Sequence, residues 1–137
     1  MRIASLLFLG LTLAAAPAVA QSFYSNGRIN VNTDAWTINF GFVVSDTFTV
    51  PSSSNLATIT GASFGMWFFP GDSLTSAEIT ITSQENGGIV YYDQVDSFVQ
   101  SGCVANGYGF DVCTESSSFA GPGLNQGTYW STCRMPA

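Results

Sequence analysis

Any chemistry this chain performs must come from nine carboxylates, five tyrosines and three cysteines, because none of its 137 residues is a histidine. That absence removes Ser-His-Asp and Cys-His activation of a nucleophile, and every histidine-ligated zinc or copper arrangement. Glu78, Glu85, Asp93, Asp96 and Asp111 are acids that could pair as the general acid and base of a glycoside hydrolase. No local motif singles out two of them, and alternation puts most of them on the polar side of their segments. No catalytic residue is therefore assigned, and a glycosidase is the most distant functional reading. Asp72, in the turn Pro70-Gly71-Asp72, or Asp93 with Asp96, offers oxygen ligands of the kind calcium takes. They lack the dense Asp-x-Asp-x-Asp-Gly spacing that would make a calcium loop, so no metal or other cofactor is expected.

The cysteines are Cys103, Cys113 and Cys133. A lone close pair supplies too few ligands for a metal, so Cys103 and Cys113 read as a disulfide across a hairpin, which leaves Cys133 odd. Aromatic residues are 14% of the chain. Trp67, Tyr91, Tyr92, Tyr108, Tyr129 and Trp130 could form a flat face on which sugar rings stack. The competing reading is that aromatics fill the core, and Trp36 is placed there by its phase with Ile38 and Phe40. In consecutive pairs such as Tyr91-Tyr92 and Tyr129-Trp130, period two sends one member outward. Trp67, Tyr92, Tyr108 and Trp130 are the glycan contacts expected on this basis.

The segments that must position these residues begin after a secretory leader. Met1-Arg2 opens a positive end, Ile3 to Ala16 is almost unbroken apolar sequence, and Pro17 precedes Ala18-Val19-Ala20. This pattern is a signal peptide cleaved after Ala20; about 14 apolar residues fall short of the ~20 that span a bilayer. Residues 21–137 would then form one domain with no membrane span. Past the leader, Arg28 and Arg134 stand against nine acids, a formal charge of −7. With no lysine, phosphate neutralisation and docking to anionic lipid are both disfavoured, so no nucleic acid partner is expected.

Period two dominates the remainder. Trp36, Ile38, Phe40, Phe42 and Val44 share one face of a predicted strand, interrupted by Asp46 and followed by Phe48 and Val50. Further strands are predicted over 56–59 and 62–69, and over 77–82. Glu85-Asn86-Gly87-Gly88 then turns the chain into 89–95 as a hairpin. Residues 98–104 and 108–114 form a disulfide-clasped pair, 116–118 a loop, and 128–132 the last strand. This spacing, with its Gly, Pro and Asn punctuation, predicts an all-β fold, an antiparallel β-sandwich of jelly-roll type.

Four phrases carry a family likeness: Phe48-Thr49-Val50; Ile59-Thr60-Gly61-Ala62-Ser63-Phe64-Gly65-Met66-Trp67-Phe68-Phe69-Pro70-Gly71-Asp72; Asn106-Gly107-Tyr108-Gly109-Phe110-Asp111-Val112-Cys113-Thr114-Glu115; and Leu124-Asn125-Gln126-Gly127-Thr128-Tyr129-Trp130. Together they resemble exported proteins of the PEP-CTERM sorting type from exopolysaccharide-making Gram-negative bacteria, over most of Ala35 to Trp130. The resemblance implies secretion to the periplasm or beyond and an association with polysaccharide or the cell surface, and it brings no catalytic residues. Such proteins continue with further strands and a Pro-Glu-Pro sorting tail that this sequence lacks. They also tend to read Thr-Leu-Gln-Asn-Ala where this chain reads Thr132-Cys133-Arg134-Met135-Pro136, a change that loss of one base from ACC-CTG-CAG-AAT-GCC would produce. On that reading the domain is incomplete at its C-terminus, Cys133 is accidental, and the strand at 128–132 lacks a partner and exposes an edge. Two functions follow: a non-catalytic exported module associated with extracellular polysaccharide, or a frameshifted fragment with no role of its own. Ligand identity and oligomeric state are not encoded in any motif.

Overall fold

The computed structural model describes residues 24–25, 27–31, 35–38, 40–53, 56–85 and 87–136. The signal-peptide reading concerns residues 1–20, outside that range. Among the described residues there is no helix, and none long and apolar enough to cross a membrane. The described residues form nine strands: β1 (Val44–Val50), β2 (Ala57–Thr58), β3 (Gly61–Phe68), β4 (Ser76–Gln84), β5 (Gly87–Ser97), β6 (Val99–Ala105), β7 (Asp111–Ser118), β8 (Gly123–Leu124) and β9 (Gly127–Arg134). They make an antiparallel β-sandwich. One sheet has the order β1-β9-β4-β5 and the other β3-β7-β6, with β2-β8 as a short ribbon.

Strands from the two ends of the chain pair in nested fashion, β1 with β9, β2 with β8 and β3 with β7, as a ribbon wrapped into a jelly roll would. The β3–β7 ladder bends into β2–β8 through Phe119 N–H to Thr60 C=O, Gly121 N–H to Ile59 C=O and Ile59 N–H to Pro122 C=O, each 3.0 Å. The bend demands a residue without a side chain, since a Cβ on Gly121 would strike the Ile59 carbonyl.

Burial follows the expected period within the strands. On β4, Ala77, Ile79 and Ile81 point inward while Glu78 and Thr80 point out. On β3, Ala62, Phe64, Met66 and Phe68 line the facing sheet. Between the sheets lie two linked clusters, one around Phe48, Val50, Ile81, Leu124 and Tyr129, the other around Leu74, Ala77, Ile79, Phe98 and Cys133. Tyr92 and Phe119 touch both.

Three expectations are overturned. The strand predicted over Trp36–Val44 does not form among the described residues, 36–38 and 40–43; Phe40 and Gly41 take φ of 57° and 81°, which turns the chain and resets the alternation. Trp36 and Phe40 are consequently 84% and 91% exposed, and only Ile38 reaches the core. The strand instead begins at Val44 and runs straight through Asp46. On the open edge of β1 that carboxylate stays in solvent and accepts the Tyr24 hydroxyl at 3.1 Å. Second, the last strand is not an edge. β9 lies between β1 and β4, with Cys133 opposite both Val44 and Ile79. Cys133 is a core residue there, and Arg134 reaches across to Glu78. In addition, Ser116–Ser118, predicted as loop, completes β7, because its backbone pairs with Gly61–Ser63.

Candidate functional site

Alternation along β3 divides its side chains between two environments. The even residues face the core, while Ser63, Gly65 and Trp67 face outward. Across the ladders, Val112, Thr114 and Ser116 of β7 and Val99, Ser101 and Val104 of β6 share that outer face. These positions carry no charged side chain. Ser63 and Ser116 hydroxyls meet at 3.0 Å. Ile29, from the segment before β1, lies over Gly65, where a Cβ would come within 2.8 Å of it.

The turn between β6 and β7 brings further rings to the Trp67 end of this face. Asn106 shapes it: its side-chain oxygen accepts the N–H groups of Tyr108 and Phe110 at 2.9 and 3.1 Å, and its own N–H donates to the Phe110 carbonyl at 2.8 Å. Tyr108 is thereby laid nearly parallel to Trp67, with centroids 5.8 Å apart and planes 19° off. Phe110 stands 5.6 Å from Trp67, and Phe69 stands 5.1 Å from Phe110. Tyr108 and Phe69 remain about two-thirds exposed (68% and 66%). The Cys103–Cys113 disulfide ties β6 to β7 beside this turn, at a point where the β6–β7 register shifts and Gly102 takes a φ of 60°.

Of the four expected glycan contacts, the fold unites Trp67 and Tyr108 and separates the others from them. Trp130 lies on the opposite sheet, half-buried between Thr47 and Thr82. Tyr92 points inward. A bulge between Ile81 and Thr82 inserts Tyr91 as an extra residue, and both tyrosines then contact core rings. Tyr92 stacks on Phe119 at 4.7 Å, and Tyr91 sits edge-on to Tyr129 at 5.3 Å. The Tyr92 hydroxyl donates to Asp96 at 2.9 Å; burial first, then that carboxylate, push its pKa up to about 12. Phe69 and Phe110 were missed by the sequence reading, although Phe69, two residues beyond Trp67, was legible as its neighbour on the same side.

The acids do not converge. Asp93 and Asp96, considered together as calcium ligands, fall on opposite faces of β5, opposite Thr80 and Ala77 respectively. Asp72 sits in its turn, donating its N–H to the Phe69 carbonyl. Among the described residues no three His, Cys, Asp or Glu side chains gather to hold a metal ion. Glu78 accepts from Arg134 Nε at 2.9 Å, and that contact raises the guanidinium's pKa further. Glu115, which the sequence reading passed over, is wholly buried on the core side of β7 with both oxygens lacking a hydrogen bond of normal geometry. Burial lifts its pKa, partly offset by Gln100 across the ladder. Burial also pushes the Cys133 thiol up to about 11, where it is neutral and a poor nucleophile at ordinary pH.

Comparison of the chain with protein-family models, with curated proteins and with solved structures finds no match.

Proposed function

We propose that this protein is an exported, non-catalytic module that holds polysaccharide on the outer face of its three-stranded sheet, with Tyr108 and Trp67 as the stacking rings. The observation that carries the reading is the near-parallel Trp67–Tyr108 pair, with Tyr108 largely exposed at the end of an uncharged face. A sugar ring presents C–H groups to an aromatic face, and hydroxyls such as those of Ser63, Ser101, Thr114 and Ser116 can exchange hydrogen bonds with its rim. Because that face is neutral and the chain has a net charge of −6, an uncharged glycan suits it better than a uronate polymer. Export is supported by the leader-like first twenty residues and by the Cys103–Cys113 disulfide, which persists in oxidising compartments. The resemblance to PEP-CTERM proteins points to the same setting.

A carbohydrate array probed with the protein and with its Trp67→Ala and Tyr108→Ala variants tests the reading. Neutral oligosaccharides should be retained by the parent, and both variants should lose about tenfold in affinity, or ~1.4 kcal/mol. No retained glycan on a folded sample removes the proposal.

A further inference from the structure

β5 is the longest strand of the sandwich, eleven residues, and it ends its sheet with no strand beyond it among the described residues. In an antiparallel pair alternate residues turn their N–H and C=O toward the neighbour, so about half of the β5 backbone groups face outward with no strand to pair with, although the Asp93 carbonyl accepts from the Gln94 side chain. Natural edges are blunted by lysine, proline, bulges or inward-pointing charge; β5 has no lysine or proline, its inward charge is Asp96, and its two shifts of register, at Tyr91 and between Val90 and Gly87, leave Tyr92 to Ser97 regular. Along that stretch a shallow cleft of about 690 Å³, wide open to solvent, lies between β5 and Ser118, Phe119 and Ala120 of the chain leaving β7. The cleft gives an added strand room for inward side chains, with the Tyr92–Phe119 stack as an apolar wall.

The charges around this edge narrow the occupant. Asp93 projects on the outer side and Asp96 on the inner, and β5 carries no base. Arg134 is held by Glu78 on the neighbouring strand and also lies in the field of Asp93. A second copy would bring another pair of these aspartates to the same seam, and like charges across a ladder are destabilising. We propose that the free edge of β5 is a strand-addition site for an extended basic segment of another protein. Its backbone pairs along Tyr92–Ser97, its Lys or Arg side chains meet Asp93 on the outer side, and its alternate apolar residues enter the cleft against Phe119.

A fluorescent ten-residue peptide alternating Lys and Val, titrated into the purified protein, tests this, with amide hydrogen exchange on the same complex. The expected result is saturable binding that weakens with salt, together with slowed exchange confined to β5. Asp93→Lys should lower the affinity at least threefold, and Asp93→Asn should lower it less. A peptide of equal charge broken by prolines should not bind. Binding that leaves β5 exchange unchanged, binding indifferent to Asp93→Lys, equal binding of the proline peptide, or a peptide-free dimer with β5 already protected would each overturn the proposal.

Discussion

Glu115 gives the sharpest test of how this core is built. Its side chain has no exposure to solvent, sits among Phe64, Cys113 and Ser117 on the inner side of β7, and has neither oxygen in a hydrogen bond of normal geometry. A carboxyl in that position keeps its proton in the folded chain at a pH where the unfolded chain has lost it. The raised folded pKa means that the native state binds more protons than the unfolded one above the ordinary glutamate value of about 4.3. Stability should therefore fall as pH rises from there to the folded pKa, by at most about 1.4 kcal/mol per pH unit for one proton. Glu115→Gln removes the titration, and Glu115→Leu also removes the unsatisfied polar atoms, worth about 1–3 kcal/mol when left buried. Urea unfolding at intervals from pH 4 to pH 8 measures the effect, and subtracting the Glu115→Gln curve cancels the other carboxylates. The difference should grow with pH in favour of the variant, with Glu115→Leu the most stable of the three at pH 8. Parallel curves for the parent and Glu115→Gln would refute the reasoning, because they would mean that Glu115 ionises as freely folded as unfolded.

Two further outcomes are expected. Replacing Cys103 and Cys113 together by alanine should lower stability by somewhat under ~3 kcal/mol, since the bridge closes a loop of ten residues, while the lone Cys133 stays unreactive to thiol reagents until the protein unfolds. Trp36→Ser should move the denaturation midpoint hardly at all, within about 0.5 kcal/mol, whereas Ile79→Ala should cost about 2–5 kcal/mol; comparable losses at both sites would restore Trp36 to the core.

The legible parts of this fold were those in which one face of a strand is simply wet and the other dry. Ile79 and Ile81 against Glu78 and Thr80 show it on β4, and the Glu85–Gly88 turn announced the β4–β5 hairpin. The bridge between Cys103 and Cys113 was equally plain from spacing. Alternation misled wherever the backbone changed phase. Positive φ at Phe40 and Gly41 turned Trp36 out, and the bulge at Tyr91 turned Tyr92 in. Neither event has a signature in hydrophobic pattern, because each depends on how a strand must meet its neighbour.

The residues themselves determined the absence of histidine chemistry, the acidic character and the antiparallel all-β class, since these follow from composition and from a period that any strand must obey. Which aromatics would stand together was decided only by tertiary pairing. Trp67 and Tyr108 meet because the β6–β7 turn folds back over β3, while Trp130, equally aromatic and on an equally clear strand, belongs to the other sheet. Strand order brings together positions far apart in the chain, and local sequence carries no record of that order.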